Sequence, residues 1–228
     1  ASKSRLILYY CIFKSHGTID STEEGGGIYL VLTSNSKIPD EVYQIDHCIF
    51  EECKSSSGGA ICIKNTQITY NIQITNSIFK HNEASTQGGA IYIKHPWMNI
   101  EKCQFINNKC KVGCDIYFIY GASKTGANVN FTFHECTFKH EFSEADSTES
   151  LIFIRYDTNA RFYFYNNQLD IIEPSSSFHV FDSGDPISVN GKYVFTSNCI
   201  SSTDENIITS STASSLNINF ETDFRSSC

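Results

Sequence analysis

The feature that most constrains this chain is a degenerate repeat of about thirty residues that recurs seven times. Each copy begins with an apolar pair two positions apart: Leu6/Leu8, Tyr43/Ile45, Ile72/Ile74, Met98/Ile100, Phe131/Phe133, Phe162/Phe164 and Tyr193/Phe195. A small residue follows three positions later: Cys11, Cys48, Ser77, Cys103, Cys136, Asn167 and Asn198, with spacings of 37, 29, 26, 33, 31 and 31. Two positions further comes a bulky apolar residue: Phe13, Phe50, Phe79, Phe105, Phe138, Leu169 and Ile200.

A second pattern lies between these anchors, in the form of another apolar pair at period two that usually follows glycine. Its members are Ile28/Leu30, Ile61/Ile63, Ile91/Ile93, Ile116/Phe118, Ile152/Ile154 and, more loosely, Phe178/Val180. The dipeptides Gly26-Gly27, Gly58-Gly59 and Gly88-Gly89 precede the first three pairs. A seventh copy near Ile207 is ambiguous.

Apolar residues two positions apart are typical of a β-strand, in which they share one face. Each unit therefore predicts three short strands: the leading apolar pair, the segment from the small residue to the bulky one, and the pair that follows glycine. A unit of this size cannot bury its apolar face alone, but copies stacked in register can. We therefore predict an all-β fold: a single-stranded right-handed parallel β-helix of about seven coils, forming one domain over residues 1–228. An antiparallel sandwich would need hairpin turns at short intervals, and a leucine-rich repeat would need more leucine and a helical half.

The composition of the chain limits the classes of binding partner and the cellular locations that we expect for it. The formal net charge of −8 argues against nucleic acid and anionic membranes as partners. The longest apolar run, Leu6 to Phe13, is far shorter than the roughly 20 residues of a transmembrane helix. Ten cysteines favour an extracellular or cell-surface location. The missing initiator methionine indicates a processed chain, which we interpret as a segment of a longer protein.

Two motifs resemble the repeats of the chlamydial polymorphic membrane proteins, which carry GGA(I/L/V) and FxxN. Gly-Gly-Ala-Ile occurs at 58–61 and 88–91, and FxxN at Phe79 to Asn82 and Phe105 to Asn108. Elsewhere the pattern departs, because Phe13, Phe50 and Phe138 are followed by His16, Cys53 and Glu141 in place of asparagine. The resemblance implies a β-helical fold and a role at the cell surface.

The outward face of the glycine-led strands predicts a stripe of aromatic side chains beside basic ones. Its candidate binding residues are Tyr29, Tyr92, Tyr117, Phe153, Lys64, Lys94 and Arg155, and the same column includes Cys62 and His179. Such a stripe can bind sugar rings or a partner protein. Alternatively, these side chains only stack in register, or a loop covers them.

Catalysis is not predicted, because a polysaccharide lyase or hydrolase needs carboxylates clustered on neighbouring coils. The outward column of the glycine-led strands offers a single acid, Asp115. Asp182 and Asp185 can be read as calcium ligands or as ordinary turn residues. We expect no metal site and no cofactor, since the cysteine spacing does not match a zinc motif.

The cysteines and one sequon complete the candidate sites. The cysteines at the repeat position are expected to be buried thiols. Cys53 with Cys62, and Cys110 with Cys114, are the disulfide candidates. Asn130 begins the sequon Asn-Phe-Thr and is the glycosylation candidate.

Together these features predict a structural or adhesin-type protein that binds a protein or a glycan at a cell surface. The alternative is a self-assembling component whose partners are copies of itself, because an open coil end exposes unpaired backbone.

Overall fold

The structure, a computed structural model, describes residues 6–19, 22–32, 43–65, 71–94, 97–120, 129–142, 150–156, 160–172, 178–182, 192–202 and 224–225. All regular structure in these ranges is β, in 23 strands numbered in chain order. The ambiguous repeat near Ile207 lies outside them.

Three long parallel sheets form the walls of the fold. The first sheet contains β1 (Leu6–Tyr9), β4 (Tyr43–Asp46), β8 (Asn71–Thr75), β12 (Trp97–Glu101), β15 (Val129–His134), β18 (Ala160–Tyr165) and β21 (Lys192–Thr196). The second contains β2 (Ile12–Lys14), β5 (Ile49–Glu51), β9 (Ile78–Lys80), β13 (Gln104–Ile106), β16 (Thr137–Glu141), β19 (Gln168–Ile172), β22 (Asn198–Ser202) and β23 (Phe224–Arg225). The third contains β3 (Ile28–Leu32), β7 (Ile61–Asn65), β11 (Ile91–Lys94), β14 (Ile116–Tyr120), β17 (Ser150–Tyr156) and β20 (His179–Asp182).

Each of the first six coils passes once through the three sheets, and the seventh contributes β21 and β22 within the described residues, so the seven strands of the first sheet correspond to seven coils. The predicted parallel β-helix is confirmed. Two coils carry an additional short strand that the repeat did not predict, β6 (Lys54–Ser57) and β10 (Glu83–Gln87). These two strands pair with each other between the second and third sheets.

The register aligns the repeat positions from coil to coil. Phe79 pairs with Phe50 on one side and with Phe105 on the other. In the first sheet, Ile72 pairs with Tyr43 and with Met98. The phenylalanine rings of the second sheet stack with centroids 4.8 to 5.1 Å apart and planes within 7° of parallel. The core is therefore a set of ladders in which each side chain contacts its counterparts above and below.

The corners of each coil are residues in the left-handed backbone conformation. At the first corner these are Tyr10, His47, Asn76, Lys102, Glu135, Asn166 and Ser197, all with φ between 48° and 56°. The second corner uses Ser15, Glu52, His81 and Asn107, and the third uses Gly25, Gly58, Gly88 and Gly113. A non-glycine residue in this conformation costs roughly 1–2 kcal/mol, so the stacked coils must compensate for it. The Tyr10 N–H, for example, donates to the Asp46 carbonyl at 3.2 Å, which continues the ladder around the bend.

Asparagine side chains satisfy the buried backbone just inside the second corner. The Asn82 side chain accepts a hydrogen bond from the Cys53 N–H at 3.0 Å and donates to the Phe50 carbonyl at 3.0 Å. Asn108 repeats this role one coil further, donating to the Phe79 carbonyl at 3.0 Å. The FxxN spacing thus has a physical origin, since the asparagine reaches back to the carbonyl of the phenylalanine in the preceding coil.

Candidate functional site

The aromatic stripe of the third sheet is mostly buried. Tyr92, Tyr117 and Phe153 are only 8%, 4% and 8% exposed. Their rings stack, with centroids 5.6 Å apart between the tyrosines and 4.6 Å between Tyr117 and Phe153. Together with Cys62 they form a second apolar cluster, and Val112 packs against it. For these three residues the structure therefore favours the alternative of in-register stacking under cover over an open aromatic surface.

The other stripe residues have different surroundings. Tyr29 is 52% exposed, and the Lys64 ammonium lies 6.0 Å from the centroid of its ring. Lys64 also forms an ion pair with Glu24. Lys94 is exposed, whereas the side chain of Arg155 lies outside the described residues. The register aligns Tyr29, Cys62, Tyr92, Tyr117 and Phe153 in one column with Lys64 and Lys94 in the next, but of the described side chains in the predicted set only Tyr29 and Lys94 are exposed.

The predicted disulfides Cys53–Cys62 and Cys110–Cys114 are not formed, since all four residues carry thiols and all four are buried. Cys53 lies inside the second corner, where its thiol approaches the Phe13 carbonyl at 3.6 Å. Cys62 instead joins the apolar cluster on the outer face of the third sheet. Burial raises the pKa of Cys62 to about 12 and that of Cys110 to about 11. These thiols stay protonated at neutral pH and are weak nucleophiles.

Three of the four cysteines at the repeat position are buried thiols, as predicted, whereas Cys11 in the first coil is only half-buried. Cys48, Cys103 and Cys136 are at most 1% exposed. Each thiol lies close to a backbone carbonyl, for example Cys136 Sγ at 3.4 Å from the His134 oxygen. They act as small core side chains, so the cysteine content alone does not establish an oxidising location.

Asn130 is exposed in β15, so the sequon side chain is accessible to a modifying enzyme. The prediction of a glycan there stays a prediction. Asp185, of the suggested calcium turn, and the side chain of Asp182 lie outside the described residues.

An open polar groove follows the second corner across four coils. It has a volume of about 500 Å³ and is lined by Ser15, Gly17, Glu52, Lys54, His81, Glu83, Asn107 and Lys109. Each coil contributes two residues: the left-handed corner residue and the residue two positions later. Coils are about 4.8 Å apart, so the groove extends for about 14 Å along the axis. We call it the corner groove.

The lining of the corner groove mixes donors with acceptors. Two glutamates and two lysines balance in formal charge, and Lys54 pairs with Glu83 at 3.2 Å. The Ser15 hydroxyl donates to a Glu52 carboxylate oxygen at 2.7 Å. The lining contains no apolar side chain. This surface suits a ligand that both donates and accepts hydrogen bonds, and not one that inserts an apolar anchor.

The repeat contains a sequence signal for this groove. Corner residues follow the second-sheet phenylalanines by two positions, as Glu52 follows Phe50 and His81 follows Phe79. Polar side chains at this spacing mark the bend, because the chain leaves the period of two there. The groove lies along the outer side of that bend.

Asp115 is placed differently from its prediction. Alternation from Ile116 puts Asp115 on the outer face, but it is completely buried. Its carboxylate accepts a hydrogen bond from Asn108 Nδ2 at 2.9 Å and lies 2.9 Å from His140 Nε2. The chain bends between Gly113 and Ile116, so the residues there do not alternate as a strand would. The structure thus creates an interior cluster that the sequence did not reveal.

No family model matches this chain, and no curated protein or solved structure is significantly similar to it. In the ranges that the structure describes, there is no helix with the length and hydropathy needed to cross a membrane.

Proposed function

We propose that this protein is an extracellular or surface-exposed adhesin-type protein that binds a glycan or a protein along the corner groove. The observation that carries the proposal is the alignment of seven polar side chains over four successive coils, two from each coil except the first, where Gly17 takes the second place. A stacked solenoid holds such a row with little loss of conformational freedom on binding, since the backbone of each coil is fixed by its neighbours.

The chemistry of the groove favours a polar, extended ligand. A sugar hydroxyl donates and accepts at once, which matches neighbouring carboxylates, ammonium groups and amides. The groove is also nearly neutral in formal charge, so a strongly charged polymer gains no net attraction from the lining. We therefore place a glycan ahead of a protein among the ligands predicted for the surface.

Substituting the groove is expected to weaken ligand binding at least about tenfold without unfolding the protein. The test variant is His81→Asn with Lys109→Gln, because asparagine tolerates the left-handed conformation of position 81. The measurement is binding to a glycan array and to cell surfaces, followed by affinity determination for the best ligand.

A matched control is Lys139→Gln, which removes an exposed lysine from the second sheet, outside the groove. Full binding by the groove variant, with the control unchanged, would contradict the proposed site. Cleavage of a bound polysaccharide by the wild type would contradict the proposal that the protein is not an enzyme.

A second candidate function is self-assembly, favoured by the surface of the first coil. Most of the exposed large apolar side chains of the described residues lie there: Ile7, Tyr9, Tyr10, Ile12, Tyr29 and Val31. The strands β1, β2 and β3 each pair on only one side within the described structure. An edge of this kind can pair with another chain.

Self-assembly predicts that the apparent mass in size-exclusion chromatography rises with protein concentration. Ile12→Lys places a charge beside the open edge of β2 and is expected to shift the protein toward the monomer. A wild-type protein that stays monomeric at every concentration would exclude this candidate.

A further inference from the structure

The interior of the column contains one cluster of titratable side chains at the third corner. Cys114, Asp115 and His140 are 0%, 0% and 1% exposed. One sulfur, one carboxylate oxygen and one imidazole nitrogen from these residues lie within 4.8 Å of one another. Among the residues that the structure describes, no other group of three His, Cys, Asp or Glu side chains converges in this way.

This cluster departs from the chemistry of the rest of the core. The other buried polar side chains of the described residues are serines and asparagines, which stay neutral. A carboxylate in a dry interior costs several kcal/mol unless it is compensated. The Asp115 carboxylate has two polar partners here, a hydrogen bond from Asn108 and a 2.9 Å hydrogen bond or ion pair with His140.

We propose that Cys114 Sγ, Asp115 Oδ2 and His140 Nε2 bind a zinc ion inside the column. Thiolate, imidazole and carboxylate are the side chains that zinc takes as ligands. One thiolate and one carboxylate neutralise a divalent cation, so the loaded site carries no net charge. A neutral site is what a low-dielectric interior favours.

The geometry requires only small adjustments. Tetrahedral zinc separates nitrogen and oxygen ligands by about 3.3 Å, and sulfur from either by about 3.6 Å. The carboxylate and the imidazole must separate slightly from their present 2.9 Å, while the thiol moves inward. The fourth tetrahedral position is left for a neutral ligand such as a water molecule. The hydrogen bond from Asn108 to the other carboxylate oxygen orients Asp115.

The proton balance of binding follows from the ligands. The Cys114 thiol loses its proton to solvent when its sulfur coordinates the metal. His140 coordinates as neutral imidazole and keeps its remaining proton on Nδ1. Binding therefore releases at least one proton, and zinc affinity is expected to fall at least about tenfold for each pH unit of acidification.

The three ligands are at most 1% exposed, so a substrate does not reach the metal and the site is structural and not catalytic. It joins the segment before β14 to β16 in the next coil. Since the folded chain presents the ligands together and the unfolded chain does not, zinc is expected to stabilise the fold. At a free zinc concentration one hundred times the dissociation constant, the unfolding equilibrium constant falls about a hundredfold.

The test is to refold the full chain with and without zinc, remove loosely bound metal, and determine zinc by native mass spectrometry. We expect one zinc per chain and a higher unfolding temperature in the zinc-loaded protein. Cobalt in place of zinc should give the charge-transfer absorption of a thiolate ligand. Substoichiometric zinc, or cobalt without that absorption in the wild type, would overturn the proposal even if no variant folds.

Variants assign the ligands. Cys114→Ser and His140→Gln are expected to lose the bound zinc and its stabilisation. Cys103→Ser alters a cysteine that is equally buried but lies at the first corner, so it should keep both. Retention of one zinc by Cys114→Ser, or its loss in Cys103→Ser alone, would refute the assignment.

Discussion

Replacing Phe79 with alanine is expected to lower the free energy of unfolding by about 3 to 5 kcal/mol. Its ring is completely buried and stacks on Phe50 at 4.9 Å and on Phe105 at 5.1 Å. The substitution removes contacts with both neighbouring coils and leaves a cavity that those coils cannot fill without leaving their register. In a solenoid the loss acts on two coil interfaces at once.

Chemical denaturation followed by circular dichroism measures this effect. The matched control is Phe13→Ala, which removes the same side chain from the end of the same ladder, where the ring is only half-buried. We expect a loss of about 1 kcal/mol there, because less apolar area leaves water and only one neighbour is lost. Equal losses at the two positions would show that the ladder is not continuous through Phe79.

Replacing Asn82 with alanine is expected to destabilise the protein by about 2 to 4 kcal/mol, although little apolar area is lost. The side chain accepts from the Cys53 N–H and donates to the Phe50 carbonyl, both inside the column. It also donates to Asn108 Oδ1 at 3.0 Å. Alanine leaves these groups without their partner in a place that water does not reach.

The control for this substitution is Asn99→Ala. Asn99 is half-buried on the outer side of β12, where water can replace a lost hydrogen bond. A change within about 0.5 kcal/mol is expected for it. If Asn82→Ala were as mild as Asn99→Ala, the asparagine ladder would not contribute to stability in the way described.

The ladders were predictable from the sequence because a parallel β-helix returns the same repeat position to the same wall. Phe50, Phe79 and Phe105 were aligned by the repeat alone and are aligned in the sheet. The two residues between each leading apolar pair and the small residue interrupt the period of two, and the chain bends there at left-handed residues such as His47 and Asn76.

Whether a side chain faces the interior or the exterior of the column was less predictable. A period of two assigns faces only inside a strand, and Asp115 lies in a bend just before one. For Tyr92 the repeat left exposure and burial open as alternatives, because Val112 packs against its cluster through contacts that no local pattern encodes. Corners and covering segments therefore limit what the repeat can reveal, and both the corner groove and the interior cluster lie at corners.

The most direct test of the stacked column is a set of distances between nitroxide labels on equivalent outward positions of the first sheet. Labels carried by non-canonical amino acids at Gln44 and Thr132, three coils apart, should lie about 14 Å apart. Labels at Gln44 and Val194, five coils apart, should lie about 24 Å apart. A distance that rises in proportion to the number of coils is the predicted result. Distances that do not increase with coil number would contradict the in-register parallel stack.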